Sequence, residues 1–386
     1  MNLSPSFLKV ISKYKKIMPI LLFLWIQLLF IDKYARKQQD IPVFLISLSF
    51  VLAFILIEKK LPLLKIPNKV YKISFFTLGF IFFVFSIYIN QHVDGYSLNN
   101  DRWSSTHFAI KALLNGDYPY SATDHLNGRT SNLPMLIFIN IPFYALGDVG
   151  YFQCFGFLVF MYLIYKYLNT YQERVKALLL ILISVSYYWE IYAKSDLLSN
   201  SIFLFLGILY FNKKEHFETQ TSIIKAGFIT ISLLFSRLFT IIPLILVLSK
   251  KFIIWDFRKK TTFSVTILAV ASICLYIVLH AVPNLNTLLK NNPLELQNRQ
   301  NPLLLSIIFI TIPLIYSQYV KSGIGLLYSS IFFFFLPILS SFLIRLTKMG
   351  WQETIYESGT DISYFNILLP LIIFAIALNP KKASEL

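Results

Sequence analysis

Apolar runs, each about as long as a bilayer is thick, recur along almost the whole chain, separated by short turns rich in lysine and arginine. That alternation constrains the fold more than any single motif. A helix needs roughly 20 apolar residues to cross the hydrocarbon, and only helices and closed barrels satisfy every backbone N–H and C=O there. The residues are 56% hydrophobic and 17% aromatic, and mean hydropathy is +0.64, all higher than in a soluble globular domain. The pattern predicts an all-α, polytopic membrane protein with about twelve transmembrane helices.

A net charge of +16 would suit a nucleic-acid binder if it formed one patch. It does not: the basic residues gather in turns between apolar runs, as cytoplasmic loops do. Lys9, Lys13, Lys15 and Lys16 precede the first run, and no small-residue cleavage site follows Ile31, so the reading is an uncleaved first span. Spans are expected at about 17–31, 41–57, 72–90, 150–168, 177–192, 197–211, 262–280, 302–319, 325–344 and 363–379. The stretch 222–249 is too long for one span and is interrupted at Ser236-Arg237, so it reads as two short spans meeting there. Pro134 to Leu146 is too short to cross, and a crossing would turn Lys166, Arg174 and Lys176 outward, so it reads as a juxtamembrane or re-entrant helix. With that choice the net positive charge falls on the cytoplasmic side, and the outer side is close to neutral. Cys154 and Cys274 both lie in apolar runs, which implies neither a disulfide framework nor a metal site.

The longest polar segment, Gln91 to Leu133, falls on the outer side of this topology. Within it Arg102 to Leu114 has helical spacing, with Asp101 where an N-cap would stand and Gly116 at C′. Trp103, His107, Ile110 and Leu114 share one face, which predicts a helix lying on the membrane surface with Trp103 at the headgroups. Glu190–Asp196, Arg237, Asn291–Arg299 and Trp351–Asn366 are expected on the same face.

Several of these residues fit a transfer reaction on a lipid-linked substrate. Asp101 can serve as a general base toward an acceptor hydroxyl, or simply cap the helix. Asp94 is a second candidate base or an acceptor-binding group, or an ordinary turn residue before Gly95. Arg237 lies between two apolar runs, where an unpaired charge is costly; it reads as a phosphate-binding cation or as an arginine that snorkels to headgroups. Lys194 reads as a further phosphate-binding cation and Asp196 as an acceptor- or sugar-binding group, or both as a plain interfacial turn; Arg102 and Arg299 read as further phosphate contacts or as solvated loop charges. Tyr118, Tyr120, Trp103 and Trp351 fit ring stacking on a sugar or anchoring at the interface. His92, His107 and His125 lack metal-ligand spacing, and no metal or cofactor is expected; His107 stands with the acceptor- or sugar-binding candidates.

The order of these features resembles the GT-C superfamily of polytopic glycosyltransferases. An early outer loop carries Asp101, then a helix ends in Leu-Leu-Asn-Gly-Asp-Tyr-Pro-Tyr (113–120), then comes a proline-led short helix from Leu133-Pro134, then a string of spans. Many members of that superfamily have Pro-Pro where this chain has Leu133-Pro134, and an acidic pair where this chain spreads Asp94 and Asp101. The resemblance covers about residues 72–379, with the spans of 1–71 as an addition within a single membrane domain and 91–133 as the catalytic loop. It implies an inverting hexosyl- or mannosyltransferase-like enzyme. The donor would be a polyprenyl-phosphate sugar, the acceptor a glycan or glycolipid, and membrane lipid the surroundings, with no nucleic acid. It implies Asp101 as the base and an active site facing outward from the cytoplasmic membrane of a bacterium. A transporter or lipid flippase, or a polysaccharide polymerase or ligase, is the alternative. The former would place ionisable groups near the bilayer midplane and usually show an internal repeat.

Overall fold

The computed structural model describes residues 5–35, 42–213, 217–298, 301–320 and 323–379. The fold of these residues is all-helical, with no strand among them; Thr123 and Arg129 make one isolated β-bridge. Seventeen α-helices follow in order: α1 (Pro5–Ala35), α2 (Val43–Ile55), α3 (Asn68–His92), α4 (Arg102–Leu114), α5 (Pro134–Ala145), α6 (Tyr151–Tyr167), α7 (Tyr171–Leu182), α8 (Val185–Tyr192) and α9 (Leu197–Asn212). Then come α10 (Gln220–Leu234), α11 (Ile241–Ile254), α12 (Phe257–Leu279), α13 (Leu285–Lys290), α14 (Pro293–Asn298), α15 (Leu303–Tyr316), α16 (Gly323–Trp351) and α17 (Leu369–Ala377).

Four of the described helices are long and apolar enough to cross a membrane: Ile17–Ala35, Asn68–His92, Phe257–Leu279 and Gly323–Tyr356. The pair α7 and α8 makes a fifth if it counts as one span. α3 and α12 leave most of their apolar surface uncovered, including Phe80, Ile81, Leu268 and Tyr276, which is consistent with lipid contact and a membrane protein.

Several expected spans are shorter or broken, each for a local reason. The run 177–192 is bent by 63° between α7 and α8, where Ser184 Oγ donates to the Leu180 carbonyl at 2.6 Å. The run 41–57 gives only 13 α-helical residues before a π-helical turn, Leu56–Lys60. The run 363–379 begins as a 3-10 helix, Ile362–Leu368, and becomes α-helical where Pro370 can take a first-turn position. The interruption at Ser236-Arg237 is present: α10 ends there, Arg237 is extended (φ −153°, ψ 135°), and α11 starts after a 3-10 turn.

The chain divides into two compact units, 1–85 with 158–189 and 322–386, and 86–157 with 190–321. Three of the boundaries fall inside α3, α6 and α8, and the fourth lies between α15 and α16. In the first unit α17 packs against α1 and α7. Thr170 and Glu173 close a capping box at the start of α7, so that helix begins where its sequence dictates. Phe23, Phe30, Phe334 and Phe374 fill the interior. In the second unit α10 packs along α12, α11 against α15, and α4 against α5. Gly227 admits the close approach of α12, because a Cβ there would crowd Thr266.

Candidate functional site

The polar loop folds inward onto the second unit. α4 ends at Leu114, with Gly116 following at C′, where its φ of +80° is the left-handed conformation a glycine supplies cheaply. Its inner face then joins a core of Leu98, Trp103, Ile110, Tyr118, Tyr120, Ile137, Val149 and Val278. Gly95 passes directly against the Trp103 ring, where any Cβ would collide. Trp103 is 5% exposed and donates Nε1–H to Asp148 Oδ1 at 2.8 Å, so the expected headgroup anchor is instead a core residue with a polar tip. The expectation that Tyr118 and Tyr120 offer stacking surfaces or interfacial anchors is likewise corrected. Both are buried, in edge contact at 5.5 Å, and burial pushes both phenols above their ordinary pKa. Trp351, at 44% exposure, is the aromatic of the set that stays outside.

Asp101 occupies the N-cap position as its spacing predicts, but its carboxylate makes no capping bond. Asn100 Oδ1 instead accepts the Arg102 N–H at 3.3 Å, and the Asp101 side chain is left exposed. Asp94 is also exposed and accepts from Tyr96 N at 3.0 Å, closing the turn before Gly95–Ser97. Arg102 is buried at the first position of α4. His107 is half-buried and stacks on Trp103 at 4.8 Å. Burial lowers its pKa below 6.5, nearby Lys111 adds to that, and Asp148 opposes it. The His125 ring is held at both nitrogens, bridging Ser104 Oγ at 2.5 Å and the Leu98 carbonyl at 2.8 Å.

Two ion pairs lie behind this loop. Arg237 and Asp196, 3% and 6% exposed, face each other in a fork: Nε reaches Oδ2 at 2.9 Å and Nη2 reaches Oδ1 at 2.7 Å. Asn200 Nδ2 donates to Asp196 Oδ2 at 2.7 Å, and Arg237 Nη1 donates to Ser131 Oγ at 3.2 Å. Arg237 is therefore neither solitary nor snorkelling; the break between α10 and α11 aims it into the protein. Gln297 pins the same corner, accepting from Leu238 N at 2.7 Å and donating to the Ser131 carbonyl at 2.5 Å. Arg299 lies outside the described residues.

The second pair is Lys194 with Asp148. Lys194 sits in the turn between α8 and α9 with φ +48°, a conformation that costs a residue with a Cβ about 1 kcal/mol or more. Its ammonium lies 5.7 Å from the Trp103 ring centre. Asp148 also accepts from Trp103 Nε1 and from Gly150 N, the latter at 2.7 Å.

These contacts bring the first turn of α4, the end of the loop at Ser131 and both ion pairs into one unit. Asp148, absent from the sequence-derived set, is central to it. Its only signal was an acid in the short turn Gly147-Asp148-Val149-Gly150, and nothing local marks a turn aspartate as the partner of a lysine 46 positions away. Among the described residues no group of three or more His, Cys, Asp or Glu is placed to hold a metal ion. A scan against protein-family models gives no match, and neither do comparisons with curated proteins and with solved structures.

Proposed function

We propose that the chain is a multi-pass membrane glycosyltransferase that moves a sugar from a polyprenyl-phosphate donor to an acceptor hydroxyl on the extracytoplasmic side, with inversion. One observation carries the reading: the loop holding Asp101 is bound, through Trp103 and Ser131, to two buried acid–base pairs containing Lys194 and Arg237. Buried charges on interrupted apolar helices are expensive and mark functional sites.

In this reading the exposed Asp101 carboxylate takes the proton of the acceptor hydroxyl. The acceptor oxygen forms a bond to the anomeric carbon from one face. The bond from that carbon to the phosphate oxygen breaks on the other, and polyprenyl phosphate leaves as the anion. Lys194 supplies positive charge for that phosphate; Arg237, the other candidate, would have to release Asp196 to do so. The resemblance in loop order points to the same chemistry.

The test is transfer of labelled sugar from a polyprenyl-phosphate donor by purified protein in lipid. Asp101→Asn should lower turnover by about 100-fold or more, the usual contribution of a positioned base, with normal yield. Undiminished transfer removes Asp101 from the role. Reporter fusions at Asp124 and Lys259 should report opposite sides of the membrane.

A second reading has its own support. Lys194 and Arg237 both stand at helix interruptions, a pattern transporters use to line a substrate path. Movement of a lipid-linked sugar between leaflets without transfer would favour it.

A further inference from the structure

The two buried pairs differ in how readily they can open. Arg237 and Asp196 bury both side chains, to 4% and 7% exposure, and are joined by a fork with supporting bonds from Asn200 and Ser131. Withdrawing Arg237 would strip Asp196 of every guanidinium bond and leave Asn200 with it in a dry place. Lys194 and Asp148 meet by one ammonium–carboxylate contact. The Lys194 side chain is 2% exposed, but that of Asp148 is 18% exposed. If Lys194 moved away, Asp148 would keep the Trp103 Nε1 and Gly150 N donors together with its solvent edge. Lys194 could not be left alone, since a buried ammonium needs a counterion. It also sits on strained backbone, which the surrounding structure must hold in place.

We propose that Asp148 is a resident stand-in for the anion that Lys194 binds in function, a displaceable counterion that gives way to a phosphate. The inference rests on the glycosyltransferase reading for the identity of that phosphate, and it separates the two cations. Lys194, a single charge on a flexible stem, exchanges partners, whereas Arg237 stays locked to Asp196. Asp148 thus competes with the ligand in the resting protein. Neutralising it should tighten binding, the opposite of what loss of a structural residue does.

The experiment measures retention of radiolabelled polyprenyl phosphate by the full-length protein in phosphatidylcholine nanodiscs, with inorganic phosphate as competitor. Asp148→Asn preserves the shape and the acceptor for Trp103, and should bind about tenfold tighter than wild type, as removal of one charged contact allows. Asp148→Ser, a second neutral variant, should shift the same way. Lys194→Met should bind at least about tenfold more weakly, and Lys194→Arg should recover much of the loss. Competition by inorganic phosphate alone identifies a free-phosphate site, and its failure to compete identifies the lipid-linked headgroup.

If both Asp148 variants, shown to be folded by their melting transition, bind no better than wild type, the stand-in role is wrong. Unchanged binding by Lys194→Met overturns it as well. Both results leave the Asp101 test of transfer standing. Absence of any phosphate binding by wild type would sink the inference and the donor assignment together.

Discussion

Each of the two units buries a polar centre, and the two centres are built from different chemistry. In the first, Gln27 donates Nε2–H to Ser186 Oγ at 2.8 Å and accepts the Ser186 N–H on Oε1 at 2.9 Å, while Asn366 donates to the Ser186 carbonyl at 3.3 Å. All three residues are fully buried, and all are neutral. In the second unit the centre is Asp196 with Arg237 and Lys194 with Asp148, full charges of which all but Asp148, 18% exposed at its side chain, are buried. Neutral amides and hydroxyls fix helix register at modest cost. Buried ions cost far more and contribute little net stability even when paired. Packing alone does not call for the second kind at the centre of a unit, which is what supports the proposed site there.

That contrast can be broken at its strongest point first. Arg237→Met leaves the buried Asp196 carboxylate without its partner and should destabilise the protein by about 3–5 kcal/mol, read as a lowered thermal or denaturant midpoint in micelles. Adding Asp196→Leu should restore part of the loss, because removing both charges also removes their desolvation cost. A double variant worse than either single one would mean the pair contributes net stability, and the contrast with the neutral centre would fade.

Gln27→Leu should cost less, about 1–3 kcal/mol, since it leaves Ser186 short of two hydrogen bonds but strands no charge. A loss as large as that of Arg237→Met would erase the difference between the two centres.

The smallest effect concerns pH. Burial lowers the His107 pKa in the folded protein below its unfolded value of 6.5, so the unfolded chain binds the proton more readily. The stability that depends on neutral His107 is fully present above pH 6.5 and is lost as pH falls below it. Thermal midpoints taken between pH 7.5 and 5 should therefore drop less for His107→Gln than for wild type. Equal slopes would show that the proton goes elsewhere.

Much of the architecture was legible from the residues. Apolar length placed the helices, Gly116 ended α4 where its left-handed φ is cheap, and Ser236-Arg237 marked a true interruption. Less legible was which apolar runs stay straight. Ser184 and the Leu56–Lys60 turn alter helix geometry without altering hydropathy. Lys194, Asp196 and Arg237 were singled out because charge within apolar sequence is conspicuous, but their pairing was not legible. Asp148 carries no local mark beyond being one more turn aspartate.

By itself the sequence determined that the chain is helical, rich in segments suited to lipid, and possessed of one early polar loop, because burial and backbone hydrogen bonding follow periodicity and length. Only the tertiary structure decided that Trp103 turns inward to Asp148, that Arg237 closes on Asp196 41 positions away, and that Asp101 keeps its carboxylate toward solvent. The physical reason is that a buried charge is satisfied by whichever opposite group the fold brings within hydrogen-bond reach. That choice depends on how helices remote in sequence pack, and no local pattern of residues records it.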